Sequence, residues 1–323
     1  LPGKPHISQD PLKRPAAVVS LVMDSPASSP PVHVGAISND WRLAAGGCDR
    51  DVRIFSETST LISDSLVRLE GQRLGSHSGR VLSMDFAPTN EQLLSGGQDG
   101  CIQLWNARTK ALTSTYRQTD PVWCLNWTPS GPYFVSSGKD GEALLWSAER
   151  SDVLRVYGAS GPAVEALRVQ PDGRRVVVAH CDSFVFWDLA AAMPSSVVSC
   201  GAGMSTVTTL AFSPDGHMLA AGLEDGSFNL LDLRAIRSEK RRRHQSQHWR
   251  HRAHGQAVST LSWSKVQNSS GHDVLFSTSG SQMLASQVTA LHQIEKMEIK
   301  LGMSQVLCSS TNVGRTLLLG TQL

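Results

Sequence analysis

The 323-residue sequence predicts an all-β chain closed into a propeller of seven four-stranded blades, and three observations carry that reading. Two consecutive segments, LLSGGQDGCIQLWNA (93–107) and FVSSGKDGEALLWSA (134–148), share one pattern: an apolar run, a small-residue step, an Asp-Gly turn and an alternating run closing on Trp. Each reads as a β-hairpin. Trp105 and Trp146 are 41 residues apart, and self-similarity at roughly 40–45 residues is the period of a four-stranded propeller blade. Finally, two markers run in lock-step: Pro88, Pro129, Pro171 and Pro214 are each followed eleven residues later by Asp99, Asp140, Asp182 and Asp225. Trp105, Trp146 and Leu231 then follow their Asp by six residues, and Trp187 follows by five. A period-two register forbids slips, so a repeated strand–turn–strand length is the natural cause.

Taken in order, residues 1–31 are rich in Pro and Ser and read as a tether or a segment laid against the ring. The propeller is expected over 32–323, with inserts at 57–74 and 237–252. RLAAGGCDRDVRIFS (42–56) has Asp49 six residues before Phe55 and is the first hairpin; 57–74 is unlike the repeat. After the fifth copy, AHGQAVSTLSW (253–263) and DVLFSTSG (273–280) read as a degraded sixth. SQVLCSS and RTLLLGTQL, beginning at 304 and 315, supply strands for a seventh, which VHVGAIS (32–38) is expected to join when the ring closes.

The second copy holds His77, Ser95, Asp99 and Trp105 in the four places where a WD repeat builds an internal network, so the fold class is a seven-bladed WD-repeat β-propeller. The turn Asp accepts from the loop His, and the bonds continue through Ser to the indole N–H. The competing reading is a Ser-His-Asp catalytic triad; the Asp position recurs in four other copies without a His, which favours a structural role. The third copy keeps Ser136, Asp140 and Trp146 but has no loop His in YRQTDPVW; the fourth keeps Asp182 and Trp187; the fifth keeps Asp225 and has Leu231 for Trp. Later blades are therefore expected to lean on apolar packing.

The stretch 237–252 carries seven basic residues and one Glu, a net +6 in a chain of net +2. Lys240, Arg241, Arg242, Arg243, Arg250 and Arg252 are candidates for DNA, an acidic partner or an import receptor, with Trp249 a possible stacking residue; the alternative is a solvated loop. His244, His248, His251 and His254 stand close in sequence, but without a nearby cysteine or carboxylate no metal site is expected. The six cysteines (48, 101, 124, 181, 200, 308) form no CxxC pair and read as buried thiols of an intracellular protein. SGGQDG and SSGKDG are hairpin turns, not phosphate loops, since each lies between strands. No enzyme, cofactor or small-molecule substrate is expected. No run reaches about 18 apolar residues, so no membrane span is expected. The start at Leu1 suggests a fragment of a longer protein.

The elements PVW, PSGPYFVS and LLW…LRVYGA, over 119–160, resemble the WD-repeat domain of the TBP-associated factor "five" family, subunits of TFIID and SAGA-type coactivators. The long insert after the first hairpin and the closing LGMSQVLCSSTNVGRTLLLGTQL are also similar, the latter closer to the SAGA-type paralogue. The sequence departs from the family in missing loop histidines and in the basic insert. The resemblance implies a nuclear scaffold that docks histone-fold subunits, with the insert facing DNA, an acidic histone-fold partner or an import factor. A different class stays open: a substrate receptor of a cullin–RING ubiquitin ligase, docking through a Trp-Asp-x-Arg strand end. Here that end would be Leu231-Asp232-Leu233-Arg234, with Asp232 and Arg234 carrying the contact.

Overall fold

The computed structural model describes residues 20–23, 32–38, 42–55, 60–63, 66–69, 71–158, 162–181, 183–191, 194–199, 205–236, 248–264, 273–280, 282–288, 294–300, 305–310 and 316–321. They form six four-stranded blades, each an antiparallel meander running outward from the ring centre. The first blade is Val32–Ile37, Leu43–Gly47, Asp51–Phe55 and Gly71–Ser76; the second is Val81–Phe86, Gln92–Gly97, Cys101–Asn106 and Leu112–Arg117. The third is Cys124–Trp127, Tyr133–Ser137, Ala143–Ser147 and Val153–Tyr157. The fourth is Ala166–Val169, Arg175–His180, Ser183–Asp188 and Pro194–Ser199. The fifth is Val207–Phe212, Met218–Leu223, Ser227–Asp232 and His248–Arg252; the sixth is Thr260–Ser264, Asp273–Ser279, Gln282–Val288 and Ile294–Lys300.

The expected count of seven blades is therefore corrected to six. The remaining sheet has five strands, in the order Gln305–Ser310, Thr316–Thr321, Ser20–Met23, Leu66–Leu69, Thr60–Ser63. Ser20–Met23 runs parallel to both its neighbours, so this sheet is not a blade meander. The reason is supply: after Lys300 the described residues provide one hairpin, and the other strands come from the N-terminal segment and from the hairpin inserted after the first blade's third strand. Gln305–Ser310 packs against the innermost strands of both the sixth and the first blades. Val32–Ile37, expected to join the C-terminal strands in one sheet, instead pairs with Leu43–Gly47.

Second strands are covered by neighbouring blades on both faces, so their polar–apolar alternation disappears. Leu43–Gly47, Gln92–Gly97 and Met218–Leu223 are buried along nearly their whole length, as expected of strands buried on both sides. The core is thus a set of slabs between successive blades. Between the second and third, Tyr116 meets Phe134 edge-on at 5.1 Å and Phe134 stacks on Trp146 at 6.1 Å. The Tyr116 hydroxyl donates to the Ala148 carbonyl (2.9 Å), and one blade on Tyr157 donates to Leu189 (2.9 Å). Burial pushes the Tyr157 hydroxyl up to about 12. In the second, third and fourth blades the outer strand shifts register by one residue beside the third-strand Trp, a bulge that twists the rim. Among the described residues no helix is long and apolar enough to cross a membrane.

Candidate functional site

The loops before each inner strand and the Asp-Gly turns between second and third strands share one face of the ring. In the second blade they build a closed network. His77 Nδ1 lies 3.2 Å from Asp99 Oδ1 and His77 Nε2 lies 2.8 Å from Ser95 Oγ; Trp105 Nε1–H donates to the same Ser95 Oγ at 2.9 Å. Nδ1–H donating to the carboxylate and Ser95 O–H donating to Nε2 satisfies every member, a tautomer assigned from the network. Asp99 also accepts from Ser78 N–H, Ser78 O–H and Cys101 N–H. Burial pushes His77 below its ordinary value, against the pull of Asp99, so the ring is neutral. Burial works against the Asp99 carboxylate too, but the donors from Cys101 and Ser78, with His77, hold it below the usual carboxylate range. Gly100 closes the turn at φ +71°, and a Cβ there would stand 2.7 Å from the Gln118 carbonyl. Trp105 lies over Gly75, where a Cβ would meet the indole at 2.5 Å.

The order Asp–His–Ser copies a catalytic triad, but a nucleophile needs a path to substrate. Ser95 is fully buried and its oxygen already accepts from Trp105. The network is a clamp between outer loop and hairpin.

In the third blade, Trp146 Nε1–H donates to Ser136 Oγ (2.8 Å) and Ser136 donates to Gln118 Oε1 (2.8 Å). Gln118 therefore stands where the sequence reading found no partner. Asp140 accepts from Glu142 N–H. In the fourth blade Trp187 tilts against Tyr157 at 5.9 Å; Asp182 lies outside the described residues. In the sixth, His254 Nε2 is 2.9 Å from Ser277 Oγ, a second loop His–Ser pair. A signal for all three was present: His77, Gln118 and His254 each stand four residues before a fully buried Val (Val81, Val122, Val258).

The candidate basic residues separate. Lys240, Arg241, Arg242, Arg243 and His244 lie outside the described residues. Trp249, Arg250 and Arg252 belong to the fifth blade's outer strand. Trp249 packs on the apolar slab between the fifth and sixth blades. Arg250 pairs with Asp225 and donates to Ser227 Oγ at 3.0 Å, so its guanidinium serves the blade. Asp225 also accepts from Ser227 N–H (3.0 Å) and O–H (2.6 Å). His251 tilts against the Phe228 ring (5.3 Å), and no group of three metal-ligating side chains occurs among the described residues. Asp232 and Arg234 pair with each other at 2.8 Å beside buried Leu231 and Leu233.

A further polar chain, unpredicted, ties inner strands together. Asp85 accepts from Asn126 Nδ2 (2.8 Å) and Trp127 N–H (2.7 Å), and Asn126 Oδ1 accepts from Val169 N–H (2.7 Å). Burial raises Asp85, against the bond from Trp127, the Arg168 charge and the bond from Asn126. Asp85 and Asn126 each stand three residues before a marker proline, so the repeat carried the signal. Cys101 and Cys124 are free, their thiols pushed up by burial.

Residues 70–106 and 110–147 match the family described as WD domain, G-beta repeat, and residues 187–266 match the Anaphase-promoting complex subunit 4 WD40 domain. Similar proteins include the guanine nucleotide-binding protein subunit beta of Arabidopsis thaliana, 26% identical over 61% of this chain and 43% of that protein. The Target of rapamycin complex subunit LST8 of Saccharomyces cerevisiae is 28% identical over 27% of this chain and 26% of its own length. The mitotic checkpoint protein bub-3 of Caenorhabditis elegans is 35% identical over 21% of this chain and 17% of its own. The chain spans less than half the length of each, and what the matches share is the repeat; none points to the TBP-associated factor family in particular.

Proposed function

We propose that this β-propeller, two of whose repeats match the WD-domain family, is a non-enzymatic scaffold of a nuclear transcription initiation or coactivator assembly of the TFIID or SAGA type, docking histone-fold subunits. Fold alone does not give function. The observation that carries the reading is the third blade. Its segment 119–160 holds the family-like elements, and within it Trp123, Tyr133, Val153, Leu154 and Val156 are exposed. A partner docking on the outer strand would cover Val153, Leu154 and Val156, which otherwise face water. The basic stretch 240–243 is the proposed contact to DNA, an acidic partner or an import receptor.

Affinity capture of the protein from nuclear extract at moderate salt, with mass spectrometry of what is retained, tests the reading. Histone-fold subunits with TBP would assign it to TFIID, and histone-fold subunits with an acetyltransferase to SAGA. Recovery of neither overturns it. A cullin with its adaptor would support the ligase-receptor alternative, which the Asp232–Arg234 pair at the end of a strand favours. The double change Asp232→Ala, Arg234→Ala would then abolish adaptor capture. Deleting Arg241–Arg243 should weaken DNA binding and its salt dependence; unchanged DNA binding and nuclear entry would remove any functional role from that stretch.

A further inference from the structure

The outermost strands of the six blades differ in how they are protected. An edge strand offers free N–H and C=O groups, and proteins blunt such edges with charge, proline or bulges. The sixth blade's edge, IEKMEIK, alternates charges; the fifth, HWRHR, is basic and aromatic; the fourth, PSSVVS, opens on Pro194. Charge and bulges do not set the third blade's edge apart: GQRLGS, LTSTYR and VLRVY each carry one charge and PSSVVS none, and all four carry a register shift. What sets it apart is its exposed aliphatic side chains. Its Val153, Leu154 and Val156 are 43%, 42% and 47% exposed, whereas each neighbouring edge shows a single exposed large aliphatic, Leu112 and Val197.

The two sides of this strand differ in chemistry. Val153 pairs with Trp146 and Val156 with Leu144, while Leu154 is the extra residue of the bulge. Arg155, opposite Leu145, reaches the fourth blade and donates to the Ala190 carbonyl. On that side an open groove of about 590 Å³ runs between the third and fourth blades, lined by Tyr133, Leu154, Arg155, Arg174 and Leu189 among others. Its one carboxylate, Asp188, is occupied in capping Ala190 and Ala191 N–H at 2.7 and 3.1 Å. Arg155 and Arg174 have no carboxylate partner among the described residues. The groove is apolar in its walls and positive in its available charge.

We infer that the outer edge of the third blade, Val153–Tyr157, is a docking site for an extended partner segment that adds as a fifth strand, with aliphatic side chains on the Val153–Val156 side and acidic side chains facing Arg155 and Arg174. Strand addition takes its affinity from main-chain bonds and its specificity from alternate side chains. A period-two aliphatic–acidic segment satisfies both sides at once; a helix, with its 3.6-residue repeat, does not. The inference deepens the scaffold reading, since both use the exposed Val153, Leu154 and Val156; histone-fold capture that survives Val156→Lys would separate the two, leaving the assembly reading and removing this edge from it.

Random displayed peptides of about twelve residues, roughly twice the length of an edge strand, selected against the full chain, provide the test. Enriched peptides should alternate aliphatic and acidic residues and slow amide exchange over Val153–Tyr157. Val156→Lys should weaken them by about tenfold or more, and Arg174→Glu should weaken the acidic ones at low salt and lose that effect at high salt. Both positions are exposed, and unchanged melting curves would show both variants folded. No enrichment, peptides of helical or basic pattern, or binding indifferent to both variants would overturn the inference. So would a concentration-dependent dimer abolished by Val156→Lys, which would assign the edge to a second copy of the chain.

Discussion

The second and fifth blades share a strand plan and hold it by opposite means. In the second, Trp105 stands opposite Leu93, and two residues on Ser95 receives its indole N–H. In the fifth, Leu231 stands opposite Leu219, and the residue in the place of Ser95 is Ala221. Ser95 and Ala221 are both fully buried. One blade closes with a four-member polar network and the other with branched carbon, and the ring accepts both because the slab between blades requires a filled volume, not a particular bond. What differs is how each fails. A polar network fails through the partners left unpaired; an apolar slab fails through the cavity.

The largest effects come from striking each blade at its own weak point. Ser95→Ala strands the Trp105 N–H and the His77 Nε2 together, and at about 1–3 kcal/mol per unsatisfied buried group the loss should be about 2–6 kcal/mol by chemical denaturation. Leu231→Ala removes a side chain 1% exposed and should cost about 2–5 kcal/mol. The sharper contrast is Ala221→Ser: a hydroxyl in the fifth blade finds Leu231 where the second blade has Trp, so it receives no indole N–H and should destabilise by about 1–3 kcal/mol although it restores the second blade's residue. If Ala221→Ser stabilises, the fifth blade is a damaged copy of the second and not an alternative solution.

Next in size is a pH effect. His77 has a folded value below its ordinary 6.5, so its contribution is fully present above that pH. As pH falls below 6.5 the unfolded chain takes up a proton that the fold refuses, and stability declines until the folded value is reached. Asp99, held below 3.8, adds a second decline only under more acid conditions. His77→Gln places in the second blade the side chain that Gln118 supplies to the third. The variant should unfold at a similar temperature near pH 7.5 and lose less stability than the native protein on going to about pH 5. An identical pH profile in the two proteins would mean that His77 titrates normally and that the clamp is open to water.

How far these features could be read from the sequence follows from what the repeat preserves. The Asp-Gly turns and the Trp spacing are locked by register, so His77, Ser95, Asp99 and Trp105 could be assembled without coordinates. Gln118 and His254 escape a reading that asks for a loop His at each copy's entry, because the spacing that recurs runs to the buried Val four residues on and admits Gln as well as His. The blade count is illegible for another reason. Parallel pairing of Ser20–Met23 with strands from both ends of the chain leaves no periodic trace. The third blade's exposed edge was equally invisible, since VLRVY reads as a buried strand until its position at the rim is known.

The smallest expected effect bears on the charge that the sequence assigned to a partner. Arg250 belongs to a basic stretch, but its guanidinium pairs with Asp225, whose carboxylate is pulled down, against burial, by Ser227 and Arg250. Both side chains are well exposed, 42% and 38%. Water and salt therefore screen the pair, and Arg250→Ala should cost no more than about 1 kcal/mol, less still at high ionic strength. The same variant should leave salt-dependent DNA binding by the 240–243 stretch unchanged, because the guanidinium is already engaged. A loss above about 2 kcal/mol would show that the Asp225 turn is clamped as firmly as the Asp99 turn, and the contrast between the two blades would then rest on Leu231 alone. A large drop in DNA binding with stability intact would return Arg250 to the partner-facing charge and leave the fifth blade held by carbon packing throughout.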